Sequence, residues 1–431
     1  MKNAIILADD LTGANDTALQ VAKTGINTKV LIQEPFHFAS NQKQHVYVIN
    51  TETRSLEVNE ARKKLKNLAS QINKLDFSFY YKKIDSTLRG NVGAEIETLI
   101  ENIDFDCAVV VPAYPKNGRI TVGGYHLVHQ KLLTDTEFAK DPKTPVHHSV
   151  VSKELELQMK QEVTHINIEF IKKNKLSKIL KNMSDFGKKC FTFDCITDDD
   201  FDTIISETEQ VFKRILWVGS AGLMSSLAKR FKSEDNMMQN QSLKNKHPNL
   251  VVAGSVSEKT REQVGYLKSQ GYALLTLHPN ELLDENFSTD CLPNMLLKAA
   301  TIIQQNKHLV ITTNSSTEAR NEFAEYLQKN ALSKEEAGNQ IAKHLGLLAS
   351  KLIKKHSFAS LFLTGGDIAY YTCTQLQIKA LKIIGEAEEG IPICKIADSE
   401  SNDLPIITKA GAFGDRFSIY NSLIKVKEFI N

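Results

Sequence analysis

"AIILADDLTGANDTAL" (residues 4–19) sets an apolar run, Ala4 to Ala8, directly before two acids, Asp9 and Asp10. Gly13 follows, and then a segment from Ala14 to Lys23 with the apolar spacing of a helix. A strand, a tight turn and a helix start make the usual shape of a ligand site in an open α/β sheet. The usual occupant of such a helix start is an anion. Two carboxylates would repel a phosphate, so they point instead to bound hydroxyl groups, a metal ion or an accepted proton. Asp9 also has a plainer reading, as a helix cap or as the partner of a buried arginine. Adjacent side chains point in different directions, so one acid of the pair is expected to face a ligand. Asp10, further beyond the strand, is the better placed.

The same punctuation recurs outward from this stretch. "TKVLI" (28–32), "HVYVI" (45–49), "FSFYYKKI" (77–84), "CAVVVP" (107–112) and "RILWVG" (214–219) read as strands, several nearly continuous in Val and Ile, as buried parallel strands are. Val58 to Ile72 and Val92 to Ile103 carry helical spacing between them. "FKSEDNMMQNQSLKNKHPN" (231–249) is polar, rich in Asn, Lys and Gln, and reads as a linker. Beyond it "LVVAGS" (250–255), "YALLTL" (272–277), "HLVITT" (308–313) and "SLFLTG" (360–365) read as strands, with helices over Glu258 to Ser269 and Lys334 to Lys355. Alternating strands and helices predict an α/β fold. The expected division is two α/β domains, 1–232 and 249–431, joined by a hinge linker over 233–248. The stretch 135–190 shows no regular pattern.

Bulk properties narrow the function. The chain has 431 residues, 42% of them apolar, and a net charge of +2, which gives no footing for a nucleic-acid surface. No apolar run approaches the ~18 residues of a membrane span. "MKNAIILADD" lacks the layout of a signal peptide. The 6 cysteines form no C-x-x-C pair, which argues against a zinc site and a disulfide framework. A reduced cytoplasmic protein is the simplest expectation. The histidines have no spaced partners of the kind a metal site needs, and "TDDDFD" (197–202) fits a solvated face or a helix start.

Further candidate site residues lie where strands end. "KKIDSTLRGNVGAEIE" (82–97) offers Lys83 and Arg89 to a carboxylate or phosphate, and Asp85 and Ser86 to hydroxyls. The alternative is a helix start capped by Ser86 or Asn91 with solvated charges. Arg54, in "NTETRSL" (50–56), is a second anion contact or a surface arginine. "VVPAYPKNGRITVGGYH" (110–126) reads as a long loop over a polar ligand, with Tyr114, Arg119 and Gly123-Gly124 in play, as a hairpin built on "NG" with Gly-Gly close behind, or as both. In the second half, "VVAGSVSEKTREQV", "LFLTGGDIA" and "ITKAGAFGD" place Gly254, Ser255 and Ser257, then Gly365, Gly366 and Asp367, then Gly411, Gly414 and Asp415, after strands. Amides in such turns can surround phosphate oxygens. Neither the P-loop pattern nor a clean dinucleotide fingerprint is present.

"ADDLTGANDTA", "KKIDSTLRGNVGAEIE", "PAYPKNGRITVGGYH", "VGSAGL", "AGSVSEKTREQ", "TGGDIA" and "KAGAFGD" occur in the order seen in the four-carbon acid sugar kinase family, which the chain resembles from Ala8 to Asp415. The resemblance implies a sugar-acid domain followed by a nucleotide domain. It also implies transfer of phosphate from ATP to D-threonate, D-erythronate or a 3-oxo relative. Carried over by position, it implies substrate contacts at Asp10, Arg54 and Lys83 through Ser86. It implies nucleotide contacts at Ser255, Gly365-Gly366 and the loop Gly411, Ala412, Phe413, Gly414. Ala410 and Ala412 differ from the residues relatives often carry there, and Asp367 stands where some have Glu. On this basis the expectation is transfer to the C4 hydroxyl with Mg²⁺ on the ATP phosphates. Asp10 or Asp85 takes the proton, with Asp415 at the end of the "GAFGD" loop as the outsider, no protein metal ligand is assigned, and the domains close on each other. A homodimer fits an enzyme of this kind. The rival classes are a non-catalytic sensor of sugar acid or nucleotide, and a dehydrogenase.

Overall fold

Apart from Asn3, every residue of β1 (Asn3–Ala8) is buried, as a run of Ala, Ile and Leu is when both faces of a parallel sheet are covered. The computed structural model describes residues 3–36, 38, 45–75, 77–141, 143–173, 175–231, 247–254, 257–397 and 404–429. Of the expected linker, all but His247 and Pro248 lies outside the described residues. The chain divides into two units: Met1–Thr28 with His37–Asn236, and Lys29–Phe36 with Met237–Asn431. Among the described residues no helix is long and apolar enough to cross a membrane.

In the first unit β1 is followed by α1 (Leu11–Ala22) and, past β2 (Thr28–Leu31), by β3 (His45–Asn50), α2 (Val58–Ile72), β4 (Phe79–Lys83), α3 (Val92–Asn102) and β5 (Cys107–Val111). Next come β6 (Arg119–Val122), β7 (Tyr125–Val128), β8 (Lys131–Leu132), α4 (Val151–Glu156), β9 (Thr164–Ile166), α5 (Ile168–Lys172) and α6 (Leu176–Asp185). β10 (Cys190–Phe193), α7 (Asp198–Val211), β11 (Ile215–Gly219) and α8 (Ala221–Ala228) complete it. The sheet order is β3-β1-β4-β11-β5-β10-β9, parallel throughout. β6, β7 and β8 form a separate antiparallel sheet. The acid run at 198–202 opens α7, where Thr197 and Asp200 form a capping box.

The second unit contains β12 (Asn249–Ala253), α9 (Glu258–Ser269), β13 (Ala273–Leu277), α10 (Leu292–Gln304), β14 (Leu309–Thr313), α11 (Thr317–Lys329) and α12 (Lys334–Lys355). β15 (Ser360–Thr364), α13 (Gly366–Gln375), β16 (Ala380–Glu388), β17 (Ile391–Ile396), β18 (Ile406–Lys409) and α14 (Ser418–Lys425) follow. Its strands run β13-β14-β12-β15-β18 in parallel, then β17, β16 and β2 antiparallel. Val251, Phe362, Ile407, Ile419 and Leu423 share one core cluster on this sheet.

Several elements depart from expectation. The strand at 28–32, placed by sequence within the first domain, pairs in the second unit, with Leu31 opposite Ala380. β9 lies in the stretch without pattern, and the ribbon β16–β17 was not expected. After β5 the chain reverses twice: "NG" (117–118), with Gly118 at φ 66°, lies in a turn closed by the antiparallel bridge between Tyr114 and Arg119, and the β6–β7 hairpin turns on Gly123 (φ 58°) and Gly124 (φ 82°). Asn117 ends the short 3₁₀ turn Pro115–Asn117 within the first of these reversals. Two central residues with positive φ suit a two-residue hairpin turn, and glycine accepts them without strain.

α12 and α13 meet at Gly346. A Cβ there would lie 2.9 Å from the Thr372 backbone nitrogen and 2.9 Å from the Tyr371 carbonyl carbon, and backbone has little room to yield. Gly346→Val should therefore cost ~1–3 kcal/mol through overpacking. A urea-unfolding midpoint unchanged from wild type would contradict this.

Candidate functional site

Ala8 pairs with both Asn50 and Lys83, and Lys83 with Gly219, so β3, β1, β4 and β11 end side by side. Ligand chemistry gathers at such strand ends. Asp10 caps α1: its Oδ1 accepts from the Gly13 amide at 3.0 Å, and its Oδ2 from Thr12 Oγ1 at 2.5 Å. Arg54 arrives from the loop after β3. Its Nε and Nη2 donate to the two oxygens of Asp9, each at 2.9 Å, and Nη2 donates also to Asp10 Oδ1 at 2.6 Å. The two acids thus converge on one guanidinium, although neighbouring side chains were expected to diverge. Burial works to raise the Asp9 pKa, but Arg54 and then Lys82 outweigh it and hold the carboxyl below its ordinary range.

Strand alternation sends Lys82 and Lys83 to opposite faces of β4. Lys82 Nζ lies 2.5 Å from Glu95 Oε2 of α3, and both groups are buried. Burial, and the nearby Asp9, push the Glu95 carboxyl up against the pull of Lys82. Lys83 Nζ donates to the Ile84 carbonyl at 2.8 Å. It also closes on α1: a Cβ on Gly13 would sit 2.5 Å from Asp10 Oδ1 and 2.9 Å from Lys83 Nζ. The bare Cα of Gly13 is what lets the carboxylate and the amine occupy one corner. Among the described residues Ile84 is the hydrogen-bond partner of Lys83 Nζ, which leaves N–H groups for a ligand.

Asp85 and Arg89 form a fork, Nε to Oδ2 at 2.8 Å and Nη2 to Oδ1 at 3.2 Å, and Thr87 adds its amide and hydroxyl to Oδ2. Against burial, Arg89 and then Arg54 hold Asp85 well below the usual carboxylate range. Arg89 Nη1 donates to Asp141 Oδ2 at 3.0 Å, and its guanidinium lies 5.2 Å from the Phe138 ring centre. Ser86 sits on the turn between Asp85 and Thr87. Asn91, considered as a cap, makes no side-chain cap bond; it donates to the Thr53 carbonyl at 2.9 Å and to that of Leu56 at 2.7 Å, tying the Arg54 loop to α3.

In the second unit β12, β15 and β18 are neighbours, so their glycine turns share one end of the sheet. Ser255 lies outside the described residues. Ser257 caps α9 and donates to the Gly411 carbonyl at 3.0 Å, beside Thr260 Oγ1 at 2.7 Å. Gly365 adopts φ 104° before α13, which Gly366 and Asp367 open, and its amide donates to the Lys409 carbonyl at 2.8 Å. Ala412 and Phe413 lie between Gly411 and Gly414, the latter at φ 80°.

Sequence reasoning passed over Lys82, Glu95, Asp141 and Lys409. For Lys82 a signal existed: a Lys-Lys pair ending a buried strand must send one lysine inward. The others become neighbours only through folding.

A family model described as a sugar-binding N-terminal domain matches residues 4–227, and one described as a nucleotide-binding C-terminal domain matches residues 250–419. A D-threonate kinase of Salmonella typhimurium is 31% identical over 429 residues, 98% of each chain. The chain belongs to the four-carbon acid sugar kinase family. It is a kinase on that membership, a phosphotransferase. Other members of the family similar to it are a D-erythronate kinase of Heliobacterium modesticaldum, 28% identical over 96% of this chain and 95% of its own, and a 3-oxo-tetronate kinase of Cupriavidus necator, 26% identical over 95% and 93%. Two solved structures share the fold. One, from Salmonella typhimurium LT2, gives a TM-score of 0.80 at 21% identity with 100% of both chains covered. The other, from Haemophilus influenzae, gives 0.72 at 20% identity, covering 97% of this chain and 99% of its own.

Removing one half of the Lys82–Glu95 pair strands a buried charge. Lys82→Met should destabilise the first unit by ~3–5 kcal/mol. Lys82→Met with Glu95→Gln should recover part of that loss in denaturant titrations, and no recovery would show that the pair is not the cause. A second expectation concerns pH. His126 is fully buried, its Nδ1 lies 3.0 Å from Thr121 Oγ1, and burial pushes its pKa from 6.5 down to about 4. Between those values the unfolded chain binds a proton that the folded chain refuses. The stability His126 contributes is therefore full above pH 6.5, falls as pH drops, and levels off below about 4. Stability measured from pH 7 to pH 4 should fall less in His126→Asn than in wild type.

Proposed function

We propose that the chain transfers phosphate from ATP to the C4 hydroxyl of a four-carbon sugar acid, D-threonate foremost among D-threonate, D-erythronate and 3-oxo-tetronate. The observation that carries this reading is the end-to-end match with the D-threonate kinase, 98% of each chain at 31% identity. Residues 1–232 serve as the sugar-acid domain and 249–431 as the nucleotide domain, with the segment Lys29–Phe36 lent to the second.

Each residue then has a task. Lys83 receives the substrate carboxylate with its remaining N–H groups, and Asp85 and Ser86 line the same corner. Arg54 acts less as a free anion contact than as the clamp that holds Asp9 and Asp10 in place. The C4 oxygen forms the new bond to the γ-phosphorus as the bond to the β–γ bridging oxygen breaks and ADP leaves. The hydroxyl proton passes to a carboxylate. Asp10 is the better base of the two candidates: Asp85 is held well below the carboxylate range by Arg89, whereas Asp10 Oδ2 accepts only from Thr12 among the described residues. Such transfer depends on alignment and charge stabilisation more than on covalent chemistry. Among the described residues no three His, Cys, Asp or Glu side chains gather into a metal cage. Mg²⁺ would enter on the ATP phosphates, whose charge it would neutralise. The amides of Gly366, Gly411, Ala412 and Gly414 surround the phosphates.

The test is ADP release with Mg·ATP against D- and L-threonate, D- and L-erythronate and 3-oxo-tetronate. Turnover of at least one is expected. Asp10→Asn should lower kcat by ~10²–10⁴-fold, and Lys83→Met should chiefly raise KM for the acid. Tight binding of acid and ATP with no ADP released from any of them would instead favour a sensor.

A further inference from the structure

The loop after β18 is held from one side. Lys409, the last residue of the strand and 1% exposed, points its Nζ at three carbonyls: Ala410 at 2.9 Å, Gly411 at 3.2 Å and Phe413 at 3.0 Å. From α9 and its cap, Ser257 and Thr260 donate to the Gly411 carbonyl at 3.0 and 2.7 Å. Gln263 Nε2 donates to the Phe413 and Asp415 carbonyls at 3.1 and 2.6 Å. A trans peptide places its N–H opposite its C=O. With the carbonyls of 410, 411 and 413 drawn inward, the amides of Gly411, Ala412 and Gly414 face the other way. Among the described residues none of these three amides has a hydrogen-bond partner, while the Phe413 amide is used within the turn, on the Ala410 carbonyl at 3.1 Å. Several free amides on one concave surface fit an oxyanion.

We propose that Lys409 is the positioning residue of the nucleotide site: its ammonium turns the loop carbonyls inward so that the Gly411, Ala412 and Gly414 amides meet the ATP phosphates, and nucleotide binding takes up a proton there. This rests on the nucleotide reading of the second unit. Three acceptors suit an ammonium, with three N–H groups; the neutral amine has two and releases one carbonyl. Burial pulls the Lys409 pKa from 10.5 down to about 7, so both forms are populated near neutral pH. The charged groups on the neighbouring elements include Asp415 and Arg416 on the loop, Glu258, Lys259, Arg261 and Glu262 on α9, Asp367 on α13, Glu388 and Lys395 on β16 and β17, and Lys425 on α14, while β15, paired with β18, carries none. None of them shifts Lys409, which burial alone accounts for. A polyanion on the far side of the loop favours the ammonium. The free protein above neutral pH is then largely deprotonated at Lys409 and the complex protonated, so affinity falls as pH rises.

Titration calorimetry of ATP into the full chain tests this, at pH 7.5 in two buffers of different ionisation enthalpy, on wild type, Lys409→Met and Lys409→Arg. Wild type should take up more protons on binding than either variant. Lys409→Met should bind about tenfold or more weakly, through the lost charge-assisted bonds, with a shallower pH dependence than wild type from 6.5 to 8.5. Lys409→Arg keeps its charge throughout this range, so it should show the same shallower dependence and serves even where Lys409→Met does not fold. Equal proton uptake by wild type and Lys409→Arg would overturn the proposal. A folded wild type that binds no ATP would overturn instead the nucleotide reading beneath it.

Discussion

Buried charge must find a partner, and in the first unit that requirement organises everything around the strand ends. An ionised carboxylate away from water is tolerated only when it is paired and hydrogen-bonded. Asp9 meets this through the two-pronged contact with Arg54. The contact also needs the Arg54 loop in one position. Backbone bonds from Thr53 and Arg54 to the Asp9 carbonyl, at 3.1 and 3.3 Å, and the Thr51 hydroxyl on the Ala8 carbonyl at 2.9 Å supply that. β1, the loop after β3 and the start of α3 are thereby fixed together, and Asp10, Lys83 and Asp85 inherit their places from them.

On the proposed reading the two units would handle anions by different physics. The first would use side chains whose charges are balanced against each other, which suits a ligand carrying both a carboxylate and hydroxyls. The second would use main-chain amides in glycine turns, which recognise oxyanions with little regard to what else is attached. That contrast would suit a variable and an invariant substrate held in separate folds. It also bears on the double acid of the opening motif, whose charge Arg54 offsets in part before any ligand arrives.

Legibility followed the same physics. Largely apolar runs marked β1, β3, β5, β12, β14 and β15, because strands covered on both faces have few polar positions. The helices 58–72, 258–269 and 334–355 were bounded correctly because each has an amphipathic period and a clear stop. β9 is three residues long, "THI", and carries no period at all. β16, "ALKIIGEAE", mixes exposed and buried positions with register shifts against β17, which breaks simple alternation. Within the site, strand-end acids and glycine turns were visible as local patterns. The partners that give them meaning, Glu95 for Lys82 and the loop carbonyls for Lys409, come together only across separate elements, and no spacing rule encodes that.

β2 gives the chain an unusual order of assembly. It is made among the first residues, yet it completes a sheet whose other strands begin at Asn249. During synthesis it stays without its antiparallel partner β16 until nearly the whole polypeptide has been produced. A fragment starting at the second unit would leave the β16 edge open, and uncovered edges invite pairing with another chain. The boundary that matters for folding is therefore not the polar stretch in the middle of the sequence. The carboxyl-terminal half is an independent module only when the N-terminal strand comes with it.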